Sequence, residues 1–359
     1  MLRFSKFQRR IGKQRRSVRH KFVKTTRLAP ITAAVTLALN AHAGEIGHFN
    51  GGILNIRDYV MPDAGLYGAV YNYFYTTGQI NNANGDAINS VIVRPGPGPG
   101  TKVDINVDVN LYALAPTLIW VTDMKPLGIK YGALVSPTFV NANLNAELEA
   151  LRQPGGSVSA GSFGVGDLFV QPVWLGKSLP HWDFAFAYGF YAPVGKYNTA
   201  NVTLPVGGSV KVESADNLSY GFWTNQFQGA VAFYPMSNKG TAVITALTYE
   251  TNGKKEDFDL TPGDNLSFSW GISQLLPLSE DKTLLLEFGP AGYDTWQITH
   301  DSGSAATDTL DQVHTVGGQL GLTYLPWGLS VNVHGFYEYL AKDRFQGGSF
   351  GVSVAKKFW

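Results

Sequence analysis

The chain has 359 residues, with 28 Lys or Arg against 27 Asp or Glu and no cysteine, which excludes disulfides, thiolate zinc sites and cysteine nucleophiles together. Charged residues make up only 15%, below the roughly one quarter usual in soluble domains, while aromatics reach 13% and there are 41 glycines. No apolar run approaches the ~20 residues that a membrane helix needs.

In chain order, the first segment differs in kind from the rest. Residues 1–43 hold eleven Lys or Arg and no Asp or Glu. An apolar run from Leu28 to Leu39 follows the charges and ends in Ala41-His42-Ala43, a small-x-small exit. Basic flank, short apolar core and small-residue exit predict a secretory signal peptide over residues 1–43. The run is too short, and too interrupted by Pro30, Thr32 and Thr36, to span a bilayer. The basic flank is longer than usual, but no other Met precedes Met61. The pairs Arg9-Arg10 and Arg15-Arg16 suggest a twin-arginine signal; that route carries folded proteins and does not suit a barrel. Without this segment 17 basic groups face 27 acidic ones, a net charge of −10. An acidic mature chain gives no support for a nucleic-acid partner.

Residues 44–65 come next and alternate poorly. They include His48, Arg57 and Asp58. Two readings stand: a small plug or constriction folded into a barrel, or a loose periplasmic leader, since termini are often poorly tied down.

From residue 66 to 359 the signal is alternation. In Val103–Ala113 the odd positions are Val103, Ile105, Val107, Val109, Leu111 and Ala113, opposed by Asp104, Asn106, Asp108, Asn110 and Tyr112. Leu266–Ile272, Val316–Tyr324, Leu329–Tyr339 and Phe350–Val354 repeat the pattern. A strand places successive side chains on opposite faces, so each has one greasy and one polar face. About twelve strand candidates emerge, and their connections alternate in length. Short ones lie at 123–128, 177–181, 235–240, 277–282 and 325–328; long polar ones lie near 79–102, 143–164, 196–217, 251–265 and 300–312. Tight turns at one end and longer loops at the other predict an all-β, transmembrane, antiparallel up-and-down β-barrel of about twelve strands in a Gram-negative outer membrane. Phe233-Tyr234, Trp174, His181-Trp182 and Trp327 near the short turns read as an interfacial girdle. The final Phe358 and Trp359 suit delivery to the outer-membrane insertion machinery, although Lys356 shares parity with Val352 and Val354. The expected surroundings are the lipid bilayer and lipopolysaccharide.

In such a barrel the polar faces line the lumen. Asp104, Asn106, Asp108, Asn110, Asn332, His334 and Glu338 are the candidates for a substrate path. Each is also accounted for by the solvated interior that every barrel carries. Asp104 and Asp108 are too few carboxylates to argue a calcium site, and no metal or cofactor is expected. Pro116, Pro137 and Pro172 sit inside neighbouring strand candidates. Proline cannot donate to a ladder, so three together predict either a weakened sector of wall, through which a hydrophobic substrate leaves sideways, or bulges that set curvature. His300-Asp301-Ser302, with His314 nearby, is the closest approach to a hydrolase, but it falls in a polar loop and no G-x-S-x-G occurs. Gly96-Pro97-Gly98-Pro99-Gly100 lacks the Lys and Ser/Thr of a phosphate cradle and reads as a loop tip.

Several phrases resemble the family of proteins of the meta-pathway of phenol degradation, within the outer-membrane barrel superfamily. They are Gly47-His48-Phe49 through Pro62 to Gly65-Leu66-Tyr67, then Tyr71-Asn72-Tyr73-Phe74-Tyr75, Gly166-Asp167-Leu168 with Gln171-Pro172, Ala192 to Tyr197, and Asn217 to Gln228 with Phe222-Trp223. Their order covers nearly all the mature chain. The resemblance implies passage of a small hydrophobic, aromatic compound. The alternatives are an outer-membrane hydrolase of lipid or ester, and a structural or adhesive barrel.

Overall fold

The computed structural model describes residues 46–93, 101–124, 126–149, 157–203, 209–214 and 216–359. The expected signal peptide, residues 1–43, and the loop tip at 96–100 lie outside the described residues. Fifteen strands follow one another: β1 Gly65–Thr77, β2 Ser90–Val93, β3 Thr101–Val121, β4 Lys130–Glu149, β5 Ser157–Ser178, β6 Trp182–Ala192, β7 Thr199–Thr203, β8 Ser209–Glu213, β9 Thr224–Phe233, β10 Thr241–Asn252, β11 Asn265–Pro277, β12 Leu284–Gln297, β13 Gln312–Tyr324, β14 Leu329–Lys342 and β15 Gly348–Lys357. Twelve of them, β1, β3–β6 and β9–β15, each pair antiparallel with both neighbours, and β1 closes the ring by pairing with β15 on one side and β3 on the other. Closure gives every strand of the ring a partner on both sides, which a wall facing lipid requires. The short β2 adds to the outer part of β3, and β7–β8 forms a separate hairpin within the connection from β6 to β9.

Strand length divides the wall. β9 to β15 have 10 to 14 residues, close to the ~9–11 that cross a bilayer at a tilt. β3, β4 and β5 have 21, 20 and 22, so their far halves stand beyond the hydrocarbon. The segment around 143–164, expected as a loop, is therefore mostly strand, paired out to Glu147↔Ser157. Its polarity reflects water around the projecting wall rather than a loop.

The same overshoot corrects the reading of Val103–Ala113. Odd positions of β3 face inward: Val107 is 4% exposed, and Ala115, Thr117 and Val121 are buried below it. Even positions face outward, as Leu118 and Trp120 do at 48% and 47% exposure. Asp104, Asp108 and Asn110 share that outward parity and are exposed, Asp104 lying near Lys102 at 3.9 Å. They are solvated on the outside of the projecting wall, not in the lumen. Asn106 has its side chain outside the described residues. In β11 the expected faces hold: Ser267, Ser269 and Ser273 are buried inside and Ile272 is exposed outside. Leu118, Leu247, Ile272, Leu320 and Phe350 belong to the exposed apolar belt that meets lipid. The girdle reading is corrected at two positions. Tyr234 is buried against Asp183. Trp174 turns inward because the β5–β6 register shifts between Val170 and Val173, and one bulged residue reverses every later side chain.

Candidate functional site

Residues 46–64 run through the barrel interior before β1 begins. The sequence gives them no alternation to join a sheet, and instead supplies polar handles that the wall engages one by one. At the long-loop end, His48 places Nδ1 2.8 Å from Thr224 Oγ1 and Nε2 3.0 Å from Asp167 Oδ2. Its ring stacks on Tyr191 and meets Tyr220 and Phe222 edge-on, with centroids 4.7 to 5.0 Å apart. The Phe49 N–H donates to Glu250 Oε1 at 2.9 Å. Farther down, the Ile56 N–H donates to Gln319 Oε1 and Asn55 Nδ2 to Ser353 Oγ. At the short-turn end, Arg57 donates to Ser273 Oγ and to the carbonyls of Lys239 and Gly240, and lies 3.3 Å from Glu287 Oε1. Asp58 turns back within its own 3-10 turn, Ile56–Tyr59, to accept from the Asn55 N–H and from the Tyr71 hydroxyl. Burial pushes its pKa up to about 6.

Of the other expected lumen residues, His334 contacts this inner segment directly. Its Nε2 lies 2.8 Å from the Gly52 carbonyl and its Nδ1 3.3 Å from Asn55 Oδ1. Asn332 is buried nearby, 3.5 Å from Gln319 Nε2. Glu338 is buried but higher, where it accepts from Tyr75 and from the Gly347 N–H. On this side of the lumen contact is tight: a Cβ on Gly271 would lie 2.7 Å from Ile56 Cγ2. Only a residue without a side chain leaves room there for the Ile56 side chain against the wall.

The other side is hollow. A cavity of about 240 Å³ separates the inner segment from β3–β6 and β9. Ile53, Leu54 and Val60 line it from within, together with His48, Arg57 and Asp58; Ala115, Ile119, Leu134, Phe169, Trp174 and Tyr191 line it from the wall. Thr117, Ser136, Thr138, Gln171, Gln226 and Gln228 add polar groups. The three expected prolines cluster behind it. The β3–β4 ladder runs to Leu114↔Phe139 and resumes only at Leu118↔Val135, and the continued register sets Pro116 opposite Pro137. A hydrogen bond between the Thr117 and Ser136 hydroxyls, 2.8 Å, bridges the interval. Pro137 also borders a register shift against β5, and Pro172 lies within the β5–β6 shift. The wall is thus irregular on three adjacent strands beside the cavity, because two prolines facing each other remove both amide donors at that level.

Sequence reasoning singled out His48, Arg57, Asp58 and the three prolines, but not the residues of the cavity wall. Thr224, Gln226 and Gln228 alternate with Asn225, Phe227 and Gly229 along β9, a period-2 signal that would have marked the two glutamines as inward. The His300-Asp301-Ser302 cluster has a different employment: Asp301 accepts from the Gly263 N–H and Gln297 Nε2, and Ser302 pairs with Thr261 through backbone bonds, joining two loops. His314 lies apart, 2.6 Å from Asp294.

Comparison with known proteins follows the same line. The fold is similar to the COG4313 outer membrane channel from Pseudomonas putida F1, with a TM-score of 0.56 and 15% identity over 85% of this chain and 100% of that one. More distant likenesses are the β domain of the Bordetella autotransporter BrkA, with a TM-score of 0.44 and 13% identity over 82% and 100% of the two chains, and the CymD monoaromatic hydrocarbon channel, with 0.41 and 11% over 92% and 97%. The sequence matches none of the curated proteins. A family profile described as "Putative MetA-pathway of phenol degradation" matches residues 93–354, most of the chain and nearly all of the barrel, so the protein belongs to that family.

Proposed function

We propose that the protein is an outer-membrane channel for passive uptake of small hydrophobic, aromatic compounds. The observation that carries this reading is the apolar cavity of about 240 Å³ inside the wall. Roughly 150 Å³ lined by apolar side chains suffices to hold a benzene ring, so one substituted ring fits. Membership in a family named for phenol degradation supports the same class.

In this reading residues 46–64 are a plug. They occupy the axial path and close it to water-soluble solutes, and His48, Arg57 and Asp58 fix them in place. A ring entering from the long-loop end dissolves into the cavity and leaves sideways, between β3 and β4, where Pro116 and Pro137 interrupt the ladder. Pro172 loosens the adjoining strand. A sideways exit delivers an apolar solute to hydrocarbon rather than to the aqueous lumen floor, where desolvation would have to be undone.

The test is entry of radiolabelled toluene into cells with and without the protein at low external concentration. Faster entry with the protein is expected. Equal entry across a panel of aromatic and aliphatic compounds would remove this function and leave only the barrel.

A further inference from the structure

The outer face of the wall carries an ionisable pair at the height where hydrocarbon ends. On β13 the outward residues climb from Tyr324 through Leu322, Leu320 and Val316, all exposed, to His314. Tyr324 meets Trp327 edge-on at the short-turn end. From residue 324 to residue 314 the strand covers the ~9–11 residues that cross a bilayer at a tilt. His314 therefore stands beside the headgroups of the outer leaflet. Its Nδ1 lies 2.6 Å from Asp294 Oδ1 on β12. Ionisable side chains are costly at membrane depth and are kept where they bind something.

The pair is open to the outside, with side chains 20% and 17% exposed. A carboxylate only accepts, so Nδ1 carries the shared proton and Nε2 is left over. That Nε2 has no hydrogen-bond partner among the described residues. Two rings frame it. Trp296, farther along the same face of β12, meets the imidazole edge-on with centroids 5.4 Å apart, and the exposed Tyr339 of β14 lies at 6.0 Å. A bulge puts Tyr339 there: His314 pairs with Leu340 and Thr315 with Glu338, and Tyr339 is the extra residue between. One step above, Lys342 pairs with Gln312 on the same outward face and has no ion-pair partner among the described residues.

We propose that His314, Lys342, Trp296 and Tyr339 form a headgroup site for a phosphorylated glycolipid of the outer leaflet, the lipid A part of lipopolysaccharide. Asp294 holds the imidazole by Nδ1. With a phosphate oxygen at Nε2 the ring takes a second proton and donates a charge-assisted hydrogen bond. The Lys342 ammonium supplies another donor at the same height. Trp296 and Tyr339 pack on the sugar and the upper acyl chains, the depth at which amphipathic rings settle. The site uses neither the cavity nor residues 46–64, so it stands or falls apart from the uptake reading.

The experiment titrates the purified protein, refolded in detergent without lipopolysaccharide, with diphosphoryl lipid A and reads bound lipid by native mass spectrometry. The variant His314→Phe keeps a ring on the outer face and removes Nε2. The wild type is expected to hold lipid A about tenfold more tightly than this variant, the loss of one hydrogen bond to a charged group. Lys342→Gln should weaken binding several-fold, and enzymatically dephosphorylated lipid A should bind the wild type no better than the intact lipid binds His314→Phe. Equal binding of intact lipid A by wild type and His314→Phe overturns the assignment. So does phosphatidylglycerol binding as tightly as lipid A, or inorganic phosphate displacing it at equal concentration. If His314→Phe fails to fold, the two forms of lipid A decide alone: equal binding of both by the wild type overturns the site.

Discussion

The two halves of the barrel wall treat the same inner segment in opposite ways. Along β10–β15 the strands are short, with one register shift between His314 and Thr315 and one interval in the β11–β12 ladder beside Pro290, and their inner face holds small or hydrogen-bonding residues where the segment lies: Ser269, Gly271, Ser273, Gln319, His334 and Ser353. Residues 51–57 lie directly on that face and are bonded to it through backbone and side chain. Along β3–β5 the strands are long, bulged and interrupted by proline, and their inner face stands back from the segment around an apolar space. One half anchors the segment; in the proposed uptake the other half is the passage. Polar satisfaction specifies position, because each unmade bond would be costly in a dry interior. Apolar lining specifies only volume, and so leaves room for a guest.

The strongest way to break this division is to release the anchor. Arg57→Ala removes four hydrogen bonds and leaves Glu287 without its cation. Breaking a buried ion pair costs ~3–5 kcal/mol; with Arg57 partly exposed, the lower end is expected. Residues 46–64 should become cleavable by added protease while the barrel stays folded on a gel, and single-channel conductance should rise. Continued protection would mean that the hollow side, not the anchor, holds the segment.

Next in size is a pH effect at Asp58, which sits on the inner segment and off the spanning strands. Its pKa is raised by burial from 3.8 to about 6; the hydrogen bonds from Asn55 and Tyr71 oppose the rise and the charge of Glu287 adds to it. A raised carboxyl pKa means that the docked state holds the proton more tightly. Its contribution is present in full below about pH 4 and lost as pH rises through about 6. At ~1.4 kcal/mol per unit the effect is at most on the order of 3 kcal/mol. Protease protection of residues 46–64 should therefore improve between pH 7 and pH 5, and Asp58→Asn should flatten that change. A profile unchanged by the substitution would assign the titration to another group.

How far this division was legible in the sequence follows from what a period of two contains. Alternation in Leu266–Ile272 and Val316–Tyr324 identifies strands, and the rhythm of turns gives their number, because both are local. Alternation does not say which face is inside. Val103–Ala113 has the same pattern as Leu329–Tyr339, yet Val107 points inward and Asp108 outward, because the solvent around an overshooting strand is water on both sides. Bulges are equally silent: Trp174 lines the cavity only because the register slips after Val170. Proline placement was legible because its chemistry is local. That Pro116 would face Pro137 depended on the β3–β4 register, which the turn at 122–129 fixes only in three dimensions. The partners of His48 lie 119 and 176 residues away, beyond any spacing argument.

The hollow half can be sharpened by mending it. Pro116→Val with Pro137→Val supplies two amide donors where the β3–β4 ladder is interrupted. Each new backbone bond is worth about 1 kcal/mol, so the folded barrel should melt at a higher temperature. Toluene uptake should fall several-fold if the interval is the exit. A more stable barrel with unchanged uptake would sever the prolines from transport and leave them as devices of curvature.

The smallest expected effect tests the same interval from the opposite direction. Between the two prolines' strands, the Thr117 and Ser136 hydroxyls form a side-chain bond where ladder bonds are missing. Thr117→Val keeps the shape and removes the hydroxyl, a change of about 1 kcal/mol or roughly fivefold in an opening equilibrium. If separation of β3 from β4 limits exit, uptake should rise toward that factor, whereas losing a merely structural bond would leave it level or lower it through misfolding. Ser136→Ala should act in the same direction, and the double variant should add little, since the second substitution removes a bond already gone. Full additivity would mean that the hydroxyls act separately on the cavity lining. The hydroxyl pair would then not be what holds this part of the wall closed.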